Sequence, residues 1–123
     1  MASWKITANP IRNRLYGTLE GFFSAEEMKK CADETIEATK KLRPGYCTVT
    51  DIIRCKPLPP EAAAEIERVQ EHFRKSGARQ GVRIVGPNVL SGMQFRRTGG
   101  EAEWNSVNMP SLEEAEKFLD GLK

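Results

Sequence analysis

Trp4, Ile6 and Ala8 alternate with polar residues, and Leu15, Gly17 and Leu19 alternate again before Gly21. This period of two predicts strands at about 4–9 and 14–21. Asn9-Pro10 and Asn13 lie between them, so the pair reads as an antiparallel hairpin. The period then changes. Ser24 and Glu27 have the spacing of a capping box, and Phe23 can staple onto Met28. Met28, Cys31, Ala32, Thr35, Thr39 and Leu42 follow helical spacing, with Lys29, Lys30, Lys40 and Lys41 off that stripe. A helix over 24–43 is expected, closed by Pro44-Gly45.

Tyr46–Ile53 is a β-branched run that reads as a strand buried on both faces. Pro59 and Pro60 suit the entry to a helix, where a missing N–H costs nothing. That helix keeps Ala62, Ile66, Val69 and Phe73 on one face and stops before Gly77. Residues 82–85 read as a strand between Gly81 and Gly86, and 89–97 as a short helix weakened by Gly92. A loop follows at 98–100, then a last strand over 104–109. Ser111 and Glu114 repeat the capping-box spacing before a helix with Leu112, Ala115, Leu119 and Leu122 inward. The order is β-β-α-β-α-β-(α)-β-α. It predicts one α/β domain over 1–123, a mixed β-sheet covered by α-helices with right-handed crossovers.

Composition narrows the class. The 123 residues carry 19 basic and 17 acidic side chains, net +2, with 39% hydrophobic residues. That is a globular balance without a general pull toward nucleic acid. No run reaches the roughly 20 apolar residues of a membrane span, and no signal-peptide core opens the chain. Cys31, Cys47 and Cys55 are odd in number and unclustered, and His72 is the one histidine. Neither zinc spacing nor a disulfide framework results, so a cytoplasmic protein without a cofactor is expected.

Candidate chemistry gathers at the corner after the third strand. Asp51 and Glu61 flank it and would make an acid–base pair if a cleft joined them. Without a nucleophile beside them, they read more simply as an acceptor for loop amides and a charge at a helix start. Cys55 would be reactive only if exposed near that helix start. His72 lies one residue off the apolar stripe, pointing to solvent or the rim. Lys75, Arg79, Arg83, Arg96 and Arg97 form the basic concentration, with Phe95 and Trp104 nearby. The near-neutral net charge makes these solvated arginines rather than a nucleic-acid surface. In open α/β sheets ligands sit beyond the carboxyl ends of the strands. Corners 51–60 and 86–92, the latter with Asn88, would share that edge, and Leu58, Met93 and Phe95 would line an apolar pocket there or belong to the core.

The stretches "NRLYGTLEGFFSAEEM" (13–28), "LRPGYCTVTDIIRCKPLPPEA" (42–62), "GVRIVGPNVLSGMQF" (81–95) and "EEAEKFLDGL" (113–122) occur in an order that resembles the SpoIIAA-like branch of the STAS domains. In the anti-sigma-factor antagonists of that family, a phosphorylatable Ser opens the helix after the central strand and controls partner binding. The resemblance lays this turn on Pro59-Pro60-Glu61-Ala62. Asp51 has a counterpart there, but no Ser, Thr or Tyr occurs between Asp51 and Lys75.

The expectation is therefore a non-enzymatic STAS-like module of a bacterial-type cytoplasm, presenting 51–60 and 86–97 to a protein partner. Arg54 and Lys56 would supply charge and Leu58 an apolar contact. The resemblance extends to the lipid-carrying CRAL-TRIO domains, so the alternative is a small apolar ligand held under 89–97, gated by Gly92 and Gly99-Gly100. An exposed edge in the first hairpin, with Trp4 and Tyr16, further predicts a homodimer.

Overall fold

Strand β1 (Ser3–Asn9) runs antiparallel to β2 (Arg14–Glu20) in unbroken register, from Ser3 opposite Glu20 to Asn9 opposite Arg14. The expected hairpin is present, and Asn13 takes the left-handed conformation at its turn, with φ 56°. A computed structural model describes residues 2–86, 104 and 106–122. The expected helix at 89–97, the loop at 98–100, and Asn88, Gly92, Met93, Phe95, Arg96 and Arg97 lie outside the described residues.

Helix α1 (Ala25–Ala38) opens as the capping box predicts. Ser24 Oγ accepts the Glu27 N–H at 3.1 Å, and Glu27 Oε1 accepts the Ser24 N–H at 3.0 Å. Phe23 and Met28 lie in one core cluster, as the staple requires. The helix stops earlier than expected, tightening into a 3-10 turn at Thr39–Lys41 before Leu42 becomes extended. Two causes meet there. Thr39 Oγ1 donates to the Ile36 carbonyl at 2.6 Å, and Pro44 disfavours helix in the residue before it.

Strand β3 (Cys47–Asp51) leads to α2 (Pro60–Lys75), with Pro60 in its first turn. The chain then forms β4 (Gln80–Ile84), β5 (Ser106–Met109) and α3 (Leu112–Asp120). The five strands lie in sequence order, and β2 through β5 are parallel. The molecule is thus α/β with a mixed sheet.

Alternation assigns the two faces. Ile6, Gly17, Thr50, Arg83 and Asn108 stand in one register row, and Ala8, Leu15, Thr48, Gly81 and Ser106 in the next. Leu15 and Leu19 from this face pack with Phe23, Met28, Ala62, Ile66, Val69 and Phe73, beneath α1 and α2. The neighbouring residues Val49, Val82 and Ile84 point the other way and bury Ala115 and Leu119 of α3. Arg14 of β2 clamps that helix, with Nη1 at 3.0 Å from Glu116 and Nη2 at 2.7 Å from Asp120. Both helical layers are therefore tied to the sheet by different means.

Several expectations need correction. Leu112 is half exposed rather than inward, because it starts α3 before the helix reaches the sheet. Tyr16 is not on the edge: β2 lies between β1 and β3, and the Tyr16 hydroxyl donates to Glu116 Oε1 at 2.8 Å. Burial and that carboxylate together raise the Tyr16 pKa. Arg83 is not a solvated arginine. It is only 5% exposed, with Nε donating to Asn108 Oδ1 at 3.0 Å. Its place between Val82 and Ile84 in a two-faced strand turns it inward beneath α2.

Candidate functional site

The corner after β3 is fixed by backbone and side-chain bonds. Asp51 Oδ1 accepts the Ile53 N–H at 3.0 Å, closing a local turn at the strand end. The Ile52 N–H donates to Ile84 O at 3.0 Å, and the Cys55 N–H to Ile52 O at 3.1 Å. The chain then rejoins the end of β2. Gly21 N–H donates to Arg54 O at 2.8 Å and Lys56 N–H to Gly21 O at 3.0 Å, forming a parallel bridge from Gly21 to Cys55. Gly21 reaches this position with φ 85°, a conformation that a Cβ would strain.

Inside this frame, Ile52, Cys55 and Leu58 enter the core with Phe23, Ala62 and Ile66. Leu58 is buried at 6% exposure and is not the apolar contact expected of it. Pro57, Pro59 and Pro60 have no N–H to donate, and the burial of Leu58 anchors the segment. Outside stand Arg54 and Lys56, with Arg54 Nη1 at 3.4 Å from Glu20 Oε2. The Arg54 side chain is 80% exposed, so this ion pair contributes little. A shallow hollow of about 310 Å³ runs between Thr18, Glu20, Asp51, Ile53 and Arg54.

Asp51 and Glu61 do not form an acid–base pair. Asp51 stands in the row of Thr18 and Ile84, on the α3 face, while Glu61 is exposed in the first turn of α2 on the other layer. The second corner does approach the first, since a Cβ on Gly86 would meet Ile53 Cγ1 at 3.3 Å. Of the residues expected at that second corner, Asn88 lies outside the described residues, as do Met93 and Phe95.

The remaining candidates are quiet groups. Burial pushes the Cys55 thiol up to about 11 and Cys31 up to about 12. Cys47 is raised by burial as well, so none of the three thiols offers an accessible thiolate. His72 is half-buried, at the rim, 2.8 Å from Thr39 Oγ1. Because Thr39 gives its single proton to Ile36 O, its oxygen accepts from His72 Nε2–H. Burial lowers the His72 pKa. Among the described residues, no group of three or more His, Cys, Asp or Glu is placed to hold a metal ion. No helix there is long and apolar enough to cross a membrane.

Beneath α1 and α2 lies a small cavity of about 50 Å³, lined by Ile6, Met28, Val69, Phe73 and Trp104 at its apolar walls. Thr50, Gln70 and Arg83 form its polar end. Trp104, expected in the last strand, precedes it and lies against the Gly81 backbone and Phe73, with 5.3 Å between ring centroids.

Sequence reasoning missed three residues of this region. Phe22 is 62% exposed beside the Gly21–Cys55 bridge, and Glu20 faces Arg54. Phe23 is committed to the staple and its neighbour Phe22 is left outside, a division that the Phe-Phe pair before the capping box already offered. The third, Gly21, was read only as a strand end. No protein-family model matches the chain, and no curated protein matches it.

Proposed function

We propose that the chain is a non-enzymatic STAS-like binding module that contacts a protein partner through the 51–58 corner. The observation carrying this reading is the Gly21–Cys55 bridge, which holds a firm corner with Arg54, Lys56 and Phe22 exposed on it. A preformed surface of two cations and one aromatic ring loses little entropy on binding, and such aromatic and Arg anchors dominate contact energies. Consecutive, parallel β2 to β5, with α1 between β2 and β3 and α2 between β3 and β4, are in keeping with a STAS-like order. Three free, buried thiols suit a reducing cytoplasm. The partner surface is acidic with an apolar recess.

The test compares wild type, Arg54→Glu and Lys56→Glu as immobilised baits in an extract of the source cells, after all three show the same melting temperature. A protein retained by wild type and lost from both variants is expected. Retention indifferent to both substitutions, or no retained protein, sinks the reading.

The second reading is a small apolar ligand of the CRAL-TRIO-like kind, for which the cavity beneath α1 and α2 is the candidate space among the described residues. Its volume of about 50 Å³ equals one or two waters at about 30 Å³ each, far below the roughly 300 Å³ of a ligand pocket. A lipid chain therefore requires α1 and α2 to part. Native mass spectrometry of freshly purified protein tests this, with an added mass as its signature and a clean apo mass against it.

A further inference from the structure

We propose that β1 pairs antiparallel with β1 of a second copy, about a two-fold axis centred on Ile6. The sheet order leaves β1 at one edge, its backbone paired among the described strands with β2 alone. Its seven residues pair with β2 without a bulge and contain no proline. Natural edges are normally blunted by such devices, and Lys5 alone serves that purpose here.

The register follows from side-chain alternation. Trp4, Ile6 and Ala8 lie on the α1 face and are only partly buried, while Ser3, Lys5 and Thr7 are exposed on the other. Pairing that keeps like faces together requires an axis through a residue, since a one-residue slip would set Trp4 and Ile6 against polar positions. An axis on Lys5 would place two ammonium groups directly opposite each other, which is unfavourable. An axis on Thr7 would leave Ser3 and Trp4 unpaired. On Ile6 all seven residues pair. Ile6 meets Ile6, Trp4 meets Ala8, and Lys5 meets Thr7, with the two lysines only diagonal. The partly buried apolar row then continues across the seam into the second copy. A seven-residue seam is small against a standard interface, so the dimer is concentration-dependent.

Thr7 is exposed, so its substitution tests the register without disturbing the core. Thr7→Glu sets a carboxylate opposite the second copy's lysine, and Thr7→Lys sets an ammonium there. Sedimentation velocity from micromolar to millimolar concentration should show a rising dimer fraction in wild type. The dissociation constant should tighten in Thr7→Glu and loosen in Thr7→Lys, by roughly two- to thirtyfold because the axis counts each pair twice. Both shifts should shrink at about 1 M salt. A monomer at every concentration overturns the proposal, and so does a dimer of equal strength in all three proteins.

Discussion

Gly81→Ala is the sharpest probe of the packing that closes the α2 face. An ideal Cβ at this position would stand 2.7 Å from Trp104 Cζ2 and 2.9 Å from its Nε1, closer than real contacts allow. The indole is rigid and backed by Phe73, so it cannot yield as a flexible chain end would. Overpacking of this kind costs about 1–3 kcal/mol. Replacing glycine also restricts the unfolded chain, which returns about 0.4–1 kcal/mol. The net expectation is a loss of roughly 1–2 kcal/mol, measured by urea melts followed by far-ultraviolet circular dichroism. In a Trp104→Ala background the collision is gone and only the entropic gain remains. There Gly81→Ala should be neutral or stabilising by up to about 1 kcal/mol. The double-mutant cycle therefore predicts a change of sign. An equal loss in both backgrounds would refute the contact, and with it the position of Trp104 over the sheet.

Leu58→Ala should cost about 2–4 kcal/mol in the same melts, because Leu58 is buried, whereas Arg54→Glu should cost well under 1 kcal/mol at its exposed site. Equal effects would mean that the corner is oriented otherwise. His72 has its pKa lowered by burial, so the unfolded chain takes up the proton first as pH falls. Stability is then full above about pH 6.5 and declines as pH drops below it, and His72→Gln should flatten that decline. A rise in stability on acidification across that window would contradict the assignment. Thr48 is 2% exposed, so incubation with cell extract and ATP should leave it unmodified in the folded protein. Stoichiometric phosphate on Thr48, mapped by mass spectrometry, would show that the strand opens.

Local signals in the chain told most about elements whose causes are themselves local. The Ser24–Glu27 box, the period-two hairpin and the Pro60 helix entry all appear where residue spacing puts them. The end of α1 was less readable. Thr39 and Pro44 tighten its last turn although the apolar spacing runs on to Leu42, and Thr39 also meets His72, 33 positions away. The candidate site divides in the same way. Arg54 and Lys56 stand exposed as expected, but Leu58 looked like a surface contact because nothing nearby in sequence reveals that the corner folds under Phe23. Arg83 misled for a related reason. Its charge suggested solvent, while strand alternation turned it inward, and the second signal prevailed. Neither Asp51 nor Glu61 could be assigned to a layer before the sheet order was known.

The proposed corner contact and the proposed β1 pairing would act independently, for a geometric reason. A two-fold axis that keeps like faces together reverses the strand direction from one copy to the other. The carboxyl ends of β2 and β3, which carry the corner, therefore point to opposite ends of the joined sheet. One compact partner cannot bridge the two corners, so dimerisation adds no avidity toward it. Arg54→Glu should weaken partner binding equally in monomer and dimer, and Thr7→Glu should leave that binding unchanged. The corner has no hydroxyl to modify between Asp51 and Lys75, and Glu61 supplies a fixed charge in the first turn of α2. Under the proposed reading its affinity would be constant in charge, and the concentration of the partner would govern its occupancy.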